Sequence, residues 1–151
     1  MSYAIVTGAS AGIGKEIAIQ LAERGHDIIL TARRENRLQE LASEIRSRYQ
    51  VNVDYITADL AEVDAPDQIY EFCKNNNYDV EILINNAGYG LPKPFHEVPM
   101  EDEEKSLRVL AISVIALTKK FVPDLLARGG GKVMIVSSVA SFAPPSAIQT
   151  L

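Results

Sequence analysis

The chain has 151 residues, of which 47% are hydrophobic and 23% charged, and its formal net charge is -5 at pH 7. These numbers suit one domain with a real core, residues 1–151, and the negative charge disfavours a general nucleic-acid binder. No segment has the length and apolarity of a membrane span, and no secretory signal pattern is visible. With a single cysteine, Cys73, an internal disulfide is excluded, and we expect a cytoplasmic protein. From the net charge and the apolar segments we expect neither nucleic-acid nor membrane partners.

Short runs rich in valine and isoleucine alternate with longer segments of helical spacing. The apolar runs lie at 3–7, 27–32, 53–57, 81–85 and 132–137, and the helical segments at 12–24, 34–48, 64–76 and 101–127. This alternation predicts an α/β fold, in which a parallel sheet is covered by helices on both faces. We expect the doubly wound strand order 3-2-1-4-5, with a ligand crevice at the carboxyl ends of the strands.

A glycine-rich segment, Thr7-Gly8-Ala9-Ser10-Ala11-Gly12-Ile13-Gly14, joins the first predicted strand to the first predicted helix. Glycine lets a ligand approach the backbone, and the free N–H groups at a helix start attract an anion. The segment therefore predicts a phosphate cradle for a nucleotide, although its spacing is not the G-x-G-x-x-G fingerprint. The candidate cofactor contacts in it are Gly8, Ser10, Gly12, Ile13 and Gly14.

Two helical segments carry further expectations. Ile13, Ile17 and Leu21 recur every four residues, which predicts an apolar stripe on the first helix. The run from Leu107 to Leu117 is almost wholly apolar, which predicts a helix buried on several sides.

Arg33 and Arg34 follow the second predicted strand. NAD-preferring sites usually hold a carboxylate there for the ribose 2′-hydroxyl, but this chain has Ala32 and then two arginines, which suit a 2′-phosphate. The pattern favours NADP(H) over NAD(H) as the cofactor. The alternative is that both arginines simply begin a solvated helix.

Polar residues also follow the other predicted strands. Asp59-Leu60 follows the third, where Asp59 would receive an adenine amino group, cap the next turn, or do both. Asn85-Asn86-Ala87-Gly88 follows the fourth, and either lines a ribose pocket or forms an ordinary turn. Val136-Ser137-Ser138 ends the fifth, where a serine hydroxyl would orient a carbonyl substrate or cap the next segment of the chain. The two histidines have no metal-ligand spacing, so we predict no metal site.

In this order and at these spacings, Thr7-Gly8-x-x-x-Gly12-x-Gly14, Asn85-Asn86-Ala87-Gly88 and Val136-Ser137-Ser138 resemble the motifs of the short-chain dehydrogenase/reductase family. The resemblance covers essentially the whole chain. It implies a three-layer Rossmann-type fold, hydride transfer between NAD(P)H and a small alcohol or carbonyl substrate, and a homodimer or homotetramer. It also implies residue roles: NADP(H) preference for Arg33, adenine contact for Asp59 and Leu60, ribose and nicotinamide contact for Asn86 to Gly88, and catalysis for Ser138.

The chain departs from the family pattern in two places. The family's Tyr-x-x-x-Lys, which performs acid–base catalysis, follows the serine by roughly a dozen residues, but no tyrosine occurs after Tyr89. We therefore expect that the 151 residues lack the C-terminal elements of the family fold and are inactive alone; the alternative is a non-catalytic dinucleotide-binding or regulatory module. Leu110 stands where many members carry an asparagine that holds a water in the proton relay.

Overall fold

A five-stranded parallel sheet with the order β3-β2-β1-β4-β5 forms the centre of the computed structural model, which describes residues 2–139 and Phe142. The strands are β1 (Tyr3–Thr7), β2 (Asp27–Ala32), β3 (Val53–Thr57), β4 (Val80–Asn85) and β5 (Lys132–Ile135). All four pairings are parallel. The predicted α/β class and strand order are therefore confirmed.

Helices follow the first four strands and cover both faces of the sheet. They are α1 (Gly12–Glu23), α2 (Glu35–Arg48), α3 (Ala65–Asn75), α4 (Met100–Leu107) and α5 (Ser113–Ala127). A π-helical turn, Arg108–Ile112, joins α4 to α5 without a break. Helices α1 and α2 pack on one face of the sheet, and α3 and α5 pack on the other.

The core consists of one hydrophobic cluster on each face. Because successive strand residues point to opposite faces, Val6 belongs to the cluster under α1 and α2, whereas Ile5 belongs to the cluster under α3 and α5. Ile5 lies opposite Ile29 of β2 and Leu83 of β4. All of these side chains are buried, so the apolar runs of the central strands β1, β2 and β4 are explained by a sheet that is covered on both sides there.

The position of β1 determines where a ligand can bind. After β1 the chain adds β2 and β3 on one side of it, and then crosses to add β4 and β5 on the other. The loops that follow β1 and β4 therefore diverge and leave a crevice at the carboxyl ends of these strands.

The prediction of an apolar stripe on α1 was wrong at Ile13, whereas Ile17 and Leu21 do pack against the core. The residues that α1 buries are Gly14, Ala18 and Ala22, whereas Ile13 is 64% exposed. Ile17 and Leu21 are half-buried and flank this face. Small side chains let the helix axis approach the sheet closely, and larger residues then fill the margins of the contact.

The prediction that residues 107–117 are buried on several sides was also wrong. Leu107, Ile112 and Ile115 are 59%, 47% and 56% exposed. Val109 and Leu117, on the opposite face, are buried in the core. Residues 107–117 therefore carry an exposed apolar stripe besides the buried one.

The fifth strand is shorter than its apolar run. Strand β5 ends at Ile135, and the Val136 N–H donates one further bond to the Asn85 carbonyl oxygen at 2.9 Å. Ser137 and Ser138 therefore follow the strand rather than end it.

Two smaller expectations concern other parts of the chain. Cys73 is buried, and burial, with the nearby Asp54 charge, raises the pKa of its thiol to about 12, as suits a structural residue. In the part of the chain that the structure describes, no helix combines the length and apolarity of a membrane span.

Candidate functional site

Two adjoining cavities lie at the carboxyl ends of the strands. The smaller, of about 230 Å³, faces the ends of β2 and β3, and the larger, of about 760 Å³, faces the ends of β4 and β5. Both are lined by Gly8, Ala11, Ala87, Gly88 and Tyr89. Because they share this wall, the two cavities form one crevice that passes the glycine-rich loop.

Nearly all of the residues predicted from the sequence line this crevice. The smaller cavity is lined by Ser10, Arg33, Arg34, Asp59 and Leu60, besides the shared Gly8, Ala87 and Gly88. The larger cavity is lined by Gly12, Ile13, Asn86 and Ser138, besides the same three shared residues. Gly14 lines neither cavity, because it is buried behind the loop against Asn86.

The glycine-rich loop leaves the first turn of α1 open to an anion. Ala11 is the N-terminal capping residue, and none of the described side chains caps the helix there. The first turn also contains no acidic residue. The N–H groups of this turn therefore keep both their hydrogen-bonding capacity and the positive end of the helix dipole for a ligand.

Two glycines of this loop are required by geometry. Gly8 has φ +67°, and a Cβ on it would lie 2.8 Å from the Cα of Ala87. A Cβ on Gly14 would lie 2.4 Å from Nδ2 of Asn86 and 2.5 Å from the carbonyl oxygen of Gly8. Any larger residue would therefore push apart the loops that follow β1 and β4.

Thr7 and Asn86 tie these two loops together. The Thr7 hydroxyl donates to the Ile84 carbonyl oxygen at 3.2 Å and accepts the N–H groups of Asn86 and Ala87 at 2.9 and 3.0 Å. Nδ2 of Asn86 donates to the Thr7 carbonyl oxygen at 2.9 Å. The segment Asn85 to Gly88 is therefore not an ordinary turn, since it is bonded to the neighbouring strand.

We expect Thr7→Val to lower the free energy of unfolding by about 1–2 kcal/mol, because the hydroxyl's three backbone partners lose their bond. Thr7→Ser keeps the hydroxyl and should cost less. Urea unfolding of both variants is the measurement. Equal stability of Thr7→Val and the unchanged protein would show that the hydroxyl does not hold the loops.

The arginines lie at the outer edge of the smaller cavity, and both are exposed. Nη2 of Arg34 donates to the Ser10 hydroxyl oxygen at 3.1 Å. The guanidinium carbon of Arg33 lies 5.8 Å from the centre of the Tyr89 ring. Within the described residues, neither arginine forms a salt bridge with a carboxylate. Two cations without an acidic partner therefore face the same cavity.

Asp59 and Leu60 form the opposite part of the smaller cavity. Oδ1 of Asp59 accepts the N–H of Ala61 at 3.0 Å, so this carboxylate does cap the following turn. Leu60 belongs to the core cluster under α3 and α5, and presents part of its side chain to the cavity. The turn-capping role and a contact with a ligand remain compatible.

Thr31 and Tyr89 are two further crevice residues to which the sequence motifs assign no role. Thr31 is buried near the end of β2 and lines the smaller cavity, and its Oγ1 forms no hydrogen bond with any described residue. Tyr89 lines both cavities. The available signal was their position directly beside predicted contacts, Ala32 and Gly88.

The larger cavity has a mixed lining. Ser138 and Ser137 are exposed residues on one side of it, and Leu110 lies on another. Leu110 belongs to the π-helical turn, and a Cβ on Gly88 would lie 2.9 Å from one of its methyl groups. π-Helical turns are frequent at functional sites, but a leucine side chain has no polar atom to hold a water. Among all the described residues, no group of three His, Cys, Asp or Glu side chains could hold a metal ion.

The sequence model of the short chain dehydrogenase family matches residues 2–149 of the chain. The chain belongs to this family. Among curated proteins, the very-long-chain 3-oxoacyl-CoA reductase of Phaeosphaeria nodorum is 31% identical, over 99% of this chain and 45% of that protein. The protein of the same name from Bos taurus is 34% identical, over 94% of this chain and 46% of that protein. The chain thus spans under half the length of these short-chain dehydrogenase relatives.

Solved structures of the family share the fold. L-Sorbose reductase from Gluconobacter frateurii, complexed with NADPH and L-sorbose, superimposes with a TM-score of 0.92 at 31% identity, over 97% of this chain and 56% of that one. A short-chain dehydrogenase from Sphingobium yanoikuyae in complex with NADPH gives 0.90 at 30%, over 98% and 57%. The predicted membership of an oxidoreductase family with a Rossmann-type fold is therefore confirmed.

Proposed function

We propose that this protein binds NADP(H) and that its intact form transfers hydride between the nicotinamide and a small alcohol or carbonyl substrate. One observation carries the proposal. A single crevice runs from two arginines that have no carboxylate partner among the described residues, past the start of α1, which no described side chain caps, to Ser138. The arginines, the start of α1 and Ser138 follow the same order as the 2′-phosphate, the pyrophosphate and the nicotinamide of NADP(H).

The residues present fit the anionic half of the cofactor. The first N–H groups of α1, at Gly12 and Ile13 on the cavity wall, would hold the pyrophosphate. Arg33 and Arg34 would hold the 2′-phosphate, because a guanidinium group donates two parallel hydrogen bonds to phosphate oxygens. The complexes of two structural relatives with NADPH support this assignment.

The remaining candidates would hold the uncharged parts of the cofactor. We assign the adenine to the side of Asp59 and Leu60, and the ribose and nicotinamide to Asn86, Ala87 and Gly88. Gly88 lets Leu110 approach the backbone at this wall of the crevice, since a Cβ there would lie 2.9 Å from the leucine methyl group. The apolar Leu110 also excludes water from that part of the crevice.

Catalysis requires groups at two positions. When bound, NADP(H) supplies or accepts the hydride. The Ser138 hydroxyl, on the wall of the larger cavity, would donate a hydrogen bond to a substrate carbonyl oxygen and so polarise it. Proton transfer needs a further acid, and residues 1–151 contain no tyrosine after Tyr89. We therefore propose that the 151-residue polypeptide by itself binds the cofactor without ordinary turnover.

A second candidate function is a non-catalytic dinucleotide-binding or regulatory module, favoured by Leu110 in place of a polar side chain in the crevice. Turnover by the intact protein would exclude it. Substrates to try first are a 3-oxoacyl-CoA and L-sorbose, which the names of relatives mention. The homodimer or homotetramer stays a prediction, for which sedimentation velocity of the intact protein is the measurement.

The test combines binding and turnover. The purified 151-residue polypeptide is titrated with NADPH and with NADH, and bound cofactor is followed by its fluorescence. We expect NADPH to bind at least about ten-fold more tightly, since the 2′-phosphate adds charge-assisted hydrogen bonds. Added carbonyl substrates should not accelerate NADPH oxidation. Equal affinity for the two cofactors would contradict the NADP(H) assignment, and turnover at about 1 per second or faster would contradict the predicted inactivity.

A further inference from the structure

Tyr89 occupies a special position in the crevice. It follows Gly88 directly and lines both cavities, so it stands where the smaller cavity meets the larger one. Its ring is half-buried and packs against the hydrophobic cluster under α3 and α5. The ring is therefore held by the core, while part of it faces the cavity.

The Tyr89 ring lies beside the guanidinium group of Arg33. The guanidinium carbon of Arg33 lies 5.8 Å from the ring centre, within the range of a cation–π contact. Arg33 forms no salt bridge within the described residues. A long exposed side chain loses considerable rotamer freedom when it binds a ligand, so a contact made beforehand reduces that loss.

The chemistry of this contact suits a phosphate site. A carboxylate partner would occupy the N–H donors of the arginine and neutralise its charge. An aromatic face restrains the guanidinium group without taking any of its five N–H donors. Arg34 is restrained differently, since one of its nitrogens donates to the Ser10 hydroxyl across the same cavity. The two arginines are thus held by the loops after β4 and β1, respectively.

We propose that Tyr89 is a specificity-determining positioning residue, which holds Arg33 in place for the 2′-phosphate and so contributes to the preference for NADP(H) over NAD(H). This inference rests on the proposed function, because it needs Arg33 to face the 2′-phosphate. It predicts that the discrimination depends on the aromatic ring and not on the tyrosine hydroxyl.

The experiment isolates the adenosine end, because Tyr89 also lines the other cavity. Adenosine 2′,5′-bisphosphate and 5′-AMP are used to displace NADPH, and the ratio of their affinities measures recognition of the 2′-phosphate alone. We expect Tyr89→Leu, which keeps an apolar side chain without a ring, to lower this ratio about two- to five-fold. Tyr89→Phe keeps the ring, and the ratio should stay that of the unchanged protein.

A double variant completes the test. In an Arg33→Ala background, Tyr89→Leu should lower the ratio no further, because the two side chains act together. The inference is overturned if Tyr89→Leu leaves the ratio unchanged, if Tyr89→Phe lowers it equally, or if the double variant shows additive losses. If Arg33→Ala alone leaves the ratio unchanged, the proposed role of Arg33 fails as well. If only Tyr89→Leu has no effect, that role stands.

Discussion

Replacing Arg33 by alanine is expected to weaken NADPH binding by about 10- to 100-fold while NADH binding stays within about two-fold of the unchanged protein. The reason is that a hydrogen bond between charged groups is worth about 1.5–3 kcal/mol, and only NADPH carries the 2′-phosphate. The guanidinium group lines the smaller cavity and has no carboxylate partner among the described residues, so its loss removes little else.

Arg37→Ala is the matched control for this measurement. Arg37 also lies near the start of α2, but it pairs with Glu40 at 3.3 Å and lines neither cavity. We expect both cofactors to bind this variant normally. Titrations of the three proteins with NADPH and NADH decide the matter. Equal losses of NADPH and NADH binding by Arg33→Ala would remove Arg33 from the 2′-phosphate site.

Replacing Gly14 by alanine is expected to lower the free energy of unfolding by about 2–3 kcal/mol and to weaken NADPH binding at least ten-fold. The added Cβ would lie 2.4 Å from Nδ2 of Asn86, which would have to move and lose its bond to the Thr7 carbonyl oxygen. Alanine in a helix is otherwise favoured over glycine by about 0.5–1 kcal/mol. A net loss would therefore show that the steric contact outweighs helix propensity.

Gly90→Ala provides the control for stability, since a Cβ there meets no heavy atom within 4 Å and its φ is not positive. Its unfolding free energy should stay within about 0.5 kcal/mol of the unchanged protein. Urea unfolding and NADPH titration are the measurements. A Gly14→Ala protein that is as stable as Gly90→Ala and binds NADPH normally would show that the loops tolerate the extra methyl group.

Local patterns were a good guide to the elements and a poorer one to the faces they bury. The runs at 3–7, 27–32 and 53–57 match their strands residue for residue, because strands packed into a sheet are rich in valine and isoleucine even where a polar residue such as Asp54 intervenes. In α1, by contrast, spacing selected Ile13, whereas the sheet packs against Gly14 and its small neighbours. Periodic spacing identifies the apolar side chains of a helix. How closely the helix packs on the sheet depends on the size of the side chains between them.

For the candidate site, too, the residues were predictable from the sequence but the contacts between them were not. By itself the sequence determined the fold class, the strand order and most of the residues that line the crevice, because parallel strands bring their carboxyl ends to one edge. Only the tertiary structure decided that Gly14 packs on Asn86 and that Arg33 meets Tyr89. Contacts between residues 56 or 72 positions apart leave no periodic trace, since they depend on how the loops after separate strands approach each other.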